Sequence, residues 1–101
     1  MARKGQINSN EKKAKLISKF ANKRQALLDL IKDKSTPLAQ RFQAVLKLSA
    51  LPRNSAPSRY RKRCKLTGRA RGYYNRFNVS RIMLRQLGSA GMMPGLTKAS
   101  W

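Results

Sequence analysis

The sequence predicts a mainly α-helical protein: an extended N-terminal helical hairpin, then a small basic module of loops, a short hairpin and one helix. Three observations predict it. Apolar residues in the first third recur at spacings of three and four, the signature of one helical face. The chain holds only two Val and four Ile, too few for a substantial sheet. Beyond Pro52, Pro, Gly, Ser and Asn break every long periodic stretch.

Taken in order, Leu16, Ile17, Phe20, Ala21, Leu27, Leu28 and Ile31 predict a first helix from about Asn10, capped by Ser9 or Asn10, to about Lys34. Ser35-Thr36-Pro37 is a start signal, with Thr36 as cap and Pro37 in the first helical position. The second helix carries Leu38, Phe42, Val45, Leu46, Leu48 and Leu51 and stops before Pro52. So short a connection predicts an αα-hairpin whose apolar stripes face each other. Asn54 to Ser58 reads as loop, and Cys64 to Leu66 with Gly72 to Phe77 as a short strand or hairpin. Ser80 caps a third helix from Arg81 to about Ala90, with Val79, Met83, Leu84 and Leu87 inward and Gly88 or Gly91 near its end. The tail from Met92 to Leu96 contains a turn signal. The expected organisation is an extension over residues 1–52 and a basic module over 53–101.

Charge then narrows the function. Twenty-four Lys and Arg face three acidic residues, Glu11, Asp29 and Asp33, giving a formal net charge of +21 without any histidine. A compact chain of this charge repels itself, which implies a polyanionic partner and argues against a homo-oligomer. Eleven of the 41 apolar residues are Ala, so the chain can bury only a small core. General acid–base catalysis lacks a group titrating near neutrality, and Cys64 has no His partner, so no enzyme and no small-molecule substrate is expected. A lone cysteine and no apolar signal segment suggest a reducing compartment. Apolar runs stay far below the roughly 20 residues that span a bilayer.

The stretch from Arg53 to Arg85 carries eleven cations and no anion, with Arg outnumbering Lys nine to two. Arginine's planar fork binds phosphate in a bidentate manner and stacks on bases. Tyr60, Tyr73, Tyr74 and Phe77 sit among these cations, either as stacking faces for unpaired bases or as the core of this half. Gly68 and Gly72 flank Arg69 and Arg71, either to let backbone approach a phosphate or as turn residues. A membrane-surface helix is excluded by the Pro, Gly, Ser and Asn content of residues 53–78. A DNA reader would concentrate cations on one recognition helix. Here they are spread over loops and helices, as suits an irregular RNA surface.

Leu51-Pro-Arg-Asn-Ser-Ala-Pro-Ser58, Arg61-Lys-Arg-Cys64, Thr67-Gly-Arg69, Arg76-Phe77, Ser80-Arg-Ile82, Arg85 and Pro94-Gly-Leu-Thr-Lys-Ala-Ser-Trp101 follow in order. Together they closely resemble the fourteenth-protein family of the small ribosomal subunit, in its long bacterial or organellar form, across essentially the whole chain. The family's zinc-binding form has two Cys-x2-Cys pairs, whose positions match Cys64, Thr67, Ser80 and Met83. Structural zinc wants four N or S donors, so no metal and no other cofactor is expected; Ser80 is free to cap and Met83 to pack. The resemblance implies binding to 16S-type ribosomal RNA in the 3′ major domain of the head, beside neighbouring head proteins and near the decoding region, with a role in head assembly. It implies RNA contact at Arg53, Arg59, Arg61, Arg63, Arg69, Arg71, Arg76, Arg81, Arg85, Lys98 and Trp101, to which the basic stretch itself adds Lys62, Lys65 and Tyr73; the fold is expected to be ordered largely by RNA. The implied location is the small subunit of a ribosome, in a bacterial cytoplasm or in a mitochondrial or plastid matrix.

Overall fold

The computed structural model describes residues 2–100. Three helices, α1 (Lys4–Lys32), α2 (Leu38–Ala50) and α3 (Arg81–Ser89), are joined by two single 3-10 turns and a two-stranded sheet, β1 (Tyr73–Tyr74) and β2 (Val79–Ser80). The mainly α class is as the sequence predicts. Two compact units divide the chain: Asn10–Tyr60 forms one, and the residues up to Ser9 join those from Arg61 in the other.

α1 starts two turns before the expected cap and runs through Asn8, Ser9 and Asn10. Its first turns have a tertiary reason to form. Ile7 and Ala2 lie against Gly68, where an added Cβ would come within 2.5 Å of Ile7 Cδ1. That contact outweighs the weak helix propensity of the Asn and Ser residues. At the other end Asp33 Oδ1 accepts from the Ser35 amide at 3.0 Å and the Ser35 hydroxyl at 2.7 Å. These bonds to Ser35 hold the Asp33 carboxyl below its ordinary pKa.

Thr36 does not cap α2. Pro37 occupies the N-cap with extended angles and no side-chain bond, while its carbonyl accepts from the Arg41 amide at 3.1 Å. The apolar stripe expected on α2 divides between two faces, with Leu48 and Leu51 inward as expected and the rest outward. Ala44 is buried and Arg41, Leu48 and Leu51 are half-buried, whereas Leu38 is 80% and Phe42 63% exposed, with Val45 and Leu46 also outward. Apolar residues occupy two faces of this helix, and the narrow one carrying Ala44 is turned inward. Arg41 Nε donates to the Ile31 carbonyl at 3.2 Å, so a polar contact replaces the expected meeting of two stripes. In the same unit Arg24 Nη2 donates to Oγ of the buried Ser55 at 2.9 Å, tying α1 to the 3-10 turn Arg53–Ser55.

In the second unit β1 pairs antiparallel with β2, Tyr73 opposite Ser80 and Tyr74 opposite Val79. The hairpin expected from Cys64 to Leu66 is therefore formed by Val79 and Ser80 instead. Asn78 makes the reversal at φ 57°, a left-handed conformation that Asn tolerates, and its amide donates to Tyr74 O at 2.8 Å. Ser80 then caps α3 as predicted, its Oγ accepting from the Met83 amide at 3.5 Å. Gly91 closes the helix, with Gly91 N bonded to Gly88 O and Met92 N to Leu87 O, the six-to-one and five-to-two pattern of a Schellman end. Pro94-Gly95 makes the predicted tail turn: Gly95 sits at φ 75°, which this turn type requires, and Leu96 N reaches Met93 O at 3.4 Å. The turn brings Leu96 onto Gly88.

Candidate nucleic-acid interface

Cys64 organises the centre of the second unit. Its amide donates to Arg69 O at 2.9 Å and its carbonyl accepts from Gly68 N at 2.9 Å, closing a tight loop over residues 64–69. Lys65 N reaches Asn78 O at 3.1 Å, so this loop docks on the β1–β2 turn. Cys64, Val79 and Ser80 are buried around it. Burial pushes the Cys64 thiol up, but the Thr67 hydroxyl and the amides of Thr67, Ser80 and Leu66 together outweigh it and bring the pKa to about 6.

The four zinc-matching positions are placed close by, yet their donors do not suit the metal. Thr67 Oγ1 accepts from Arg69 N and Ser80 Oγ from Met83 N, leaving one thiol and a thioether. Among the described residues no cluster of three or more His, Cys, Asp or Glu exists. Hydrogen bonds fix the loop over residues 64–69.

Around this centre lie the cations. Arg61 Nε and Nη2 donate to Ala70 O at 3.2 and 3.1 Å, and Arg63 Nη1 donates to Gly68 O at 3.0 Å. These two arginines brace the loop as well as charging it. Lys62 Nζ donates to Asn75 Oδ1 at 3.1 Å. Arg63 and Arg69 are half-buried, and the Nε atom of each is enclosed without a hydrogen-bond partner. Lys65, Arg71, Arg76, Arg81, Arg85 and Lys98 are exposed, Arg76 with its guanidinium 6.0 Å from the Phe77 ring centre. No acidic side chain follows Asp33 in the sequence, so no Asp or Glu from Arg61 onward balances them.

Arg63, Thr67, Arg69, Arg71 and Gln86 line one groove of this unit. Arg81, Arg85 and Lys98 line another together with Tyr74. Arg53 and Arg59 lie instead on the exposed 3-10 turns of the Asn10–Tyr60 unit. Trp101 lies outside the described residues.

The two tyrosines of β1 take different roles. Tyr73 is half-buried, its hydroxyl donating to Asn78 Oδ1 at 2.7 Å and locking the turn. Tyr74 is 48% exposed among cations. Strand alternation sends neighbouring side chains to opposite faces. A register for the hairpin would have separated them in the sequence, and Asn78 was the signal for it.

No helix among the described residues is long and apolar enough to cross a membrane. A family model described as ribosomal protein S14p/S29e matches residues 47–100, the stretch that holds the loop, the hairpin, α3 and the tail. Three bacterial relatives align over the full length of both chains, and each bears the name small ribosomal subunit protein uS14. They are from Phenylobacterium zucineum (52% identical), Methylobacterium sp. strain 4-46 (50%) and Caulobacter vibrioides (52%). A cation-rich surface on a minimal core, matched over its whole length by these proteins, makes the chain a member of the ribosomal protein S14p/S29e family, a structural constituent of the small ribosomal subunit.

Proposed function

We propose that the chain binds 16S-type ribosomal RNA in the 3′ major domain, in the head of the small subunit, and supports head assembly and the conformation of the decoding region. Residues 53–101 act as the RNA-binding module and residues 1–52 as an extension lying against RNA and a neighbouring head protein. The observation that carries this reading is the surface from Arg61 onward: Lys65, Arg71, Arg76, Arg81, Arg85 and Lys98 are exposed on loop, turn, helix and tail with no acidic side chain among them. Cations on several elements suit an irregular RNA fold. The exposed Leu38, Phe42 and Leu46 support the protein contact, since an apolar stripe gains little from a phosphate surface. Ala44, Cys64 and Val79 are the buried apolar residues among those described, so RNA contributes much of the order. The bacterial relatives support a bacterial ribosome as the location.

Filter binding of the full-length chain to a transcript of the 3′ major domain tests this. With about eight phosphates contacted, the log–log salt slope is on the order of −6 to −7. Changing Lys65 and Arg71 together to Ala flattens it by about two. An unchanged slope would remove these side chains from the interface, and equal affinity for a transcript of another domain would refute the head location.

A further inference from the structure

The groove beside α3 is built by three local devices. The Pro94-Gly95 turn returns the tail to the helix, and Gly88 lets Leu96 settle where a Cβ would lie 2.6 Å from its Cδ2. Gly72 meanwhile receives the stem of Arg81, whose Cγ and Cδ would each be 3.1 Å from an added Cβ. The result is an open groove of about 710 Å³, within the roughly 300–1,000 Å³ of ligand pockets. Its walls include Tyr74, Leu84 and Leu96, and its charges are Arg81, Arg85 and Lys98. Arg81 and Arg85 are four residues apart and share one helix face.

We propose that this groove holds one unpaired ribonucleotide, its base stacked on Tyr74 against Leu84 and Leu96 and its phosphates on Arg81, Arg85 and Lys98. The inference rests on the RNA-binding reading above and deepens it. Phosphate affinity alone would need only the cations, but an exposed aromatic ring with aliphatic neighbours adds a face for a base. A duplex keeps its base faces stacked inside, so only an unpaired nucleotide presents one. An acidic peptide would match the charge and leave the ring without a planar partner. No acidic side chain lines the groove to repel phosphate.

The test uses the full-length chain, a fluorescent octamer of uridine and a 12-base-pair RNA duplex, with Tyr74→Leu and Tyr74→Phe as variants and circular dichroism to verify folding. Tyr74→Leu is expected to weaken octamer binding about 5- to 150-fold, while Tyr74→Phe stays near wild type and duplex affinity is unchanged in all three. An octamer carrying 5-iodouridine should crosslink on irradiation to the peptide containing Tyr74. If wild type binds both RNAs and Tyr74→Leu binds the octamer equally well, the nucleotide site is refuted and the RNA-binding reading stands. Binding of neither RNA by wild type overturns both. A parallel loss on octamer and duplex, or a crosslink confined to other peptides, also overturns the site. So does displacement of the octamer by polyglutamate from wild type but not from Tyr74→Leu, which would assign the groove to an acidic peptide.

Discussion

The two units reach order by opposite means. In Asn10–Tyr60 long helices satisfy their own backbone, bury little beyond Ala44 and Ser55, and leave Leu38, Phe42 and Leu46 in solvent. From Arg61 onward regular structure is short, and order comes from a knot of backbone bonds around Cys64 and the buried Val79 and Ser80. Both units are basic, but the first adds an exposed apolar stripe and holds all three acidic side chains, whereas the second carries its cations without one. A protein that partners with ribosomal RNA and ribosomal proteins has use for both kinds of surface.

The largest expected effect comes from attacking the knot. Val79→Asp places a carboxylate at a buried apolar position and should cost about 3 kcal/mol or more. Hydrogen exchange should then show lost protection at the Cys64, Lys65 and Gly68 amides with α2 unchanged; loss in both places would break the contrast between units. Next comes a graded effect of pH. Because the folded state lowers the Cys64 pKa to about 6 from 9.0, its stabilisation is fully present above about pH 9 and is lost as pH falls through about 6. The urea midpoint should rise between pH 6 and 9, and in Cys64→Ala that rise should disappear. Removing the α3 cap with Ser80→Ala should cost about 1 kcal/mol, read by urea unfolding. Smallest in stability is the pair Leu38→Ser with Phe42→Ser. Both side chains are already exposed, so folding should change by no more than about 0.5 kcal/mol, while recovery of the protein in small subunits on a sucrose gradient should fall. A loss of several kcal/mol would mean that the stripe is covered in the free chain.

Features written in consecutive residues were legible in the sequence. Pro52 ends α2, Ser80 caps α3 and Pro94-Gly95 turns the tail, each because one residue's backbone preference decides the matter. What depended on distant partners was not legible. The early start of α1 needs Ile7 against Gly68, sixty-one positions away. The inward face of α2 was ambiguous because Leu38, Phe42 and Val45 form as good a stripe as Ala44, Leu48 and Leu51. Of the site, the cations were visible by count, but their division was not: Arg61 and Arg63 brace carbonyls, and Arg81 and Arg85 share a groove with Tyr74.

The seat of Ile7 on Gly68 also sets an order in time. The Asn10–Tyr60 unit is complete in sequence once Tyr60 has left the ribosome that makes it. Residues 2–9, although made before that unit, must wait for the 64–69 loop before their contact exists. At about 5–20 residues per second that is a delay of roughly 3 to 12 s. During it residues 2–9 lack the seat that Gly68 gives Ile7, so the first turns of α1 have no tertiary contact to hold them until the 64–69 loop closes.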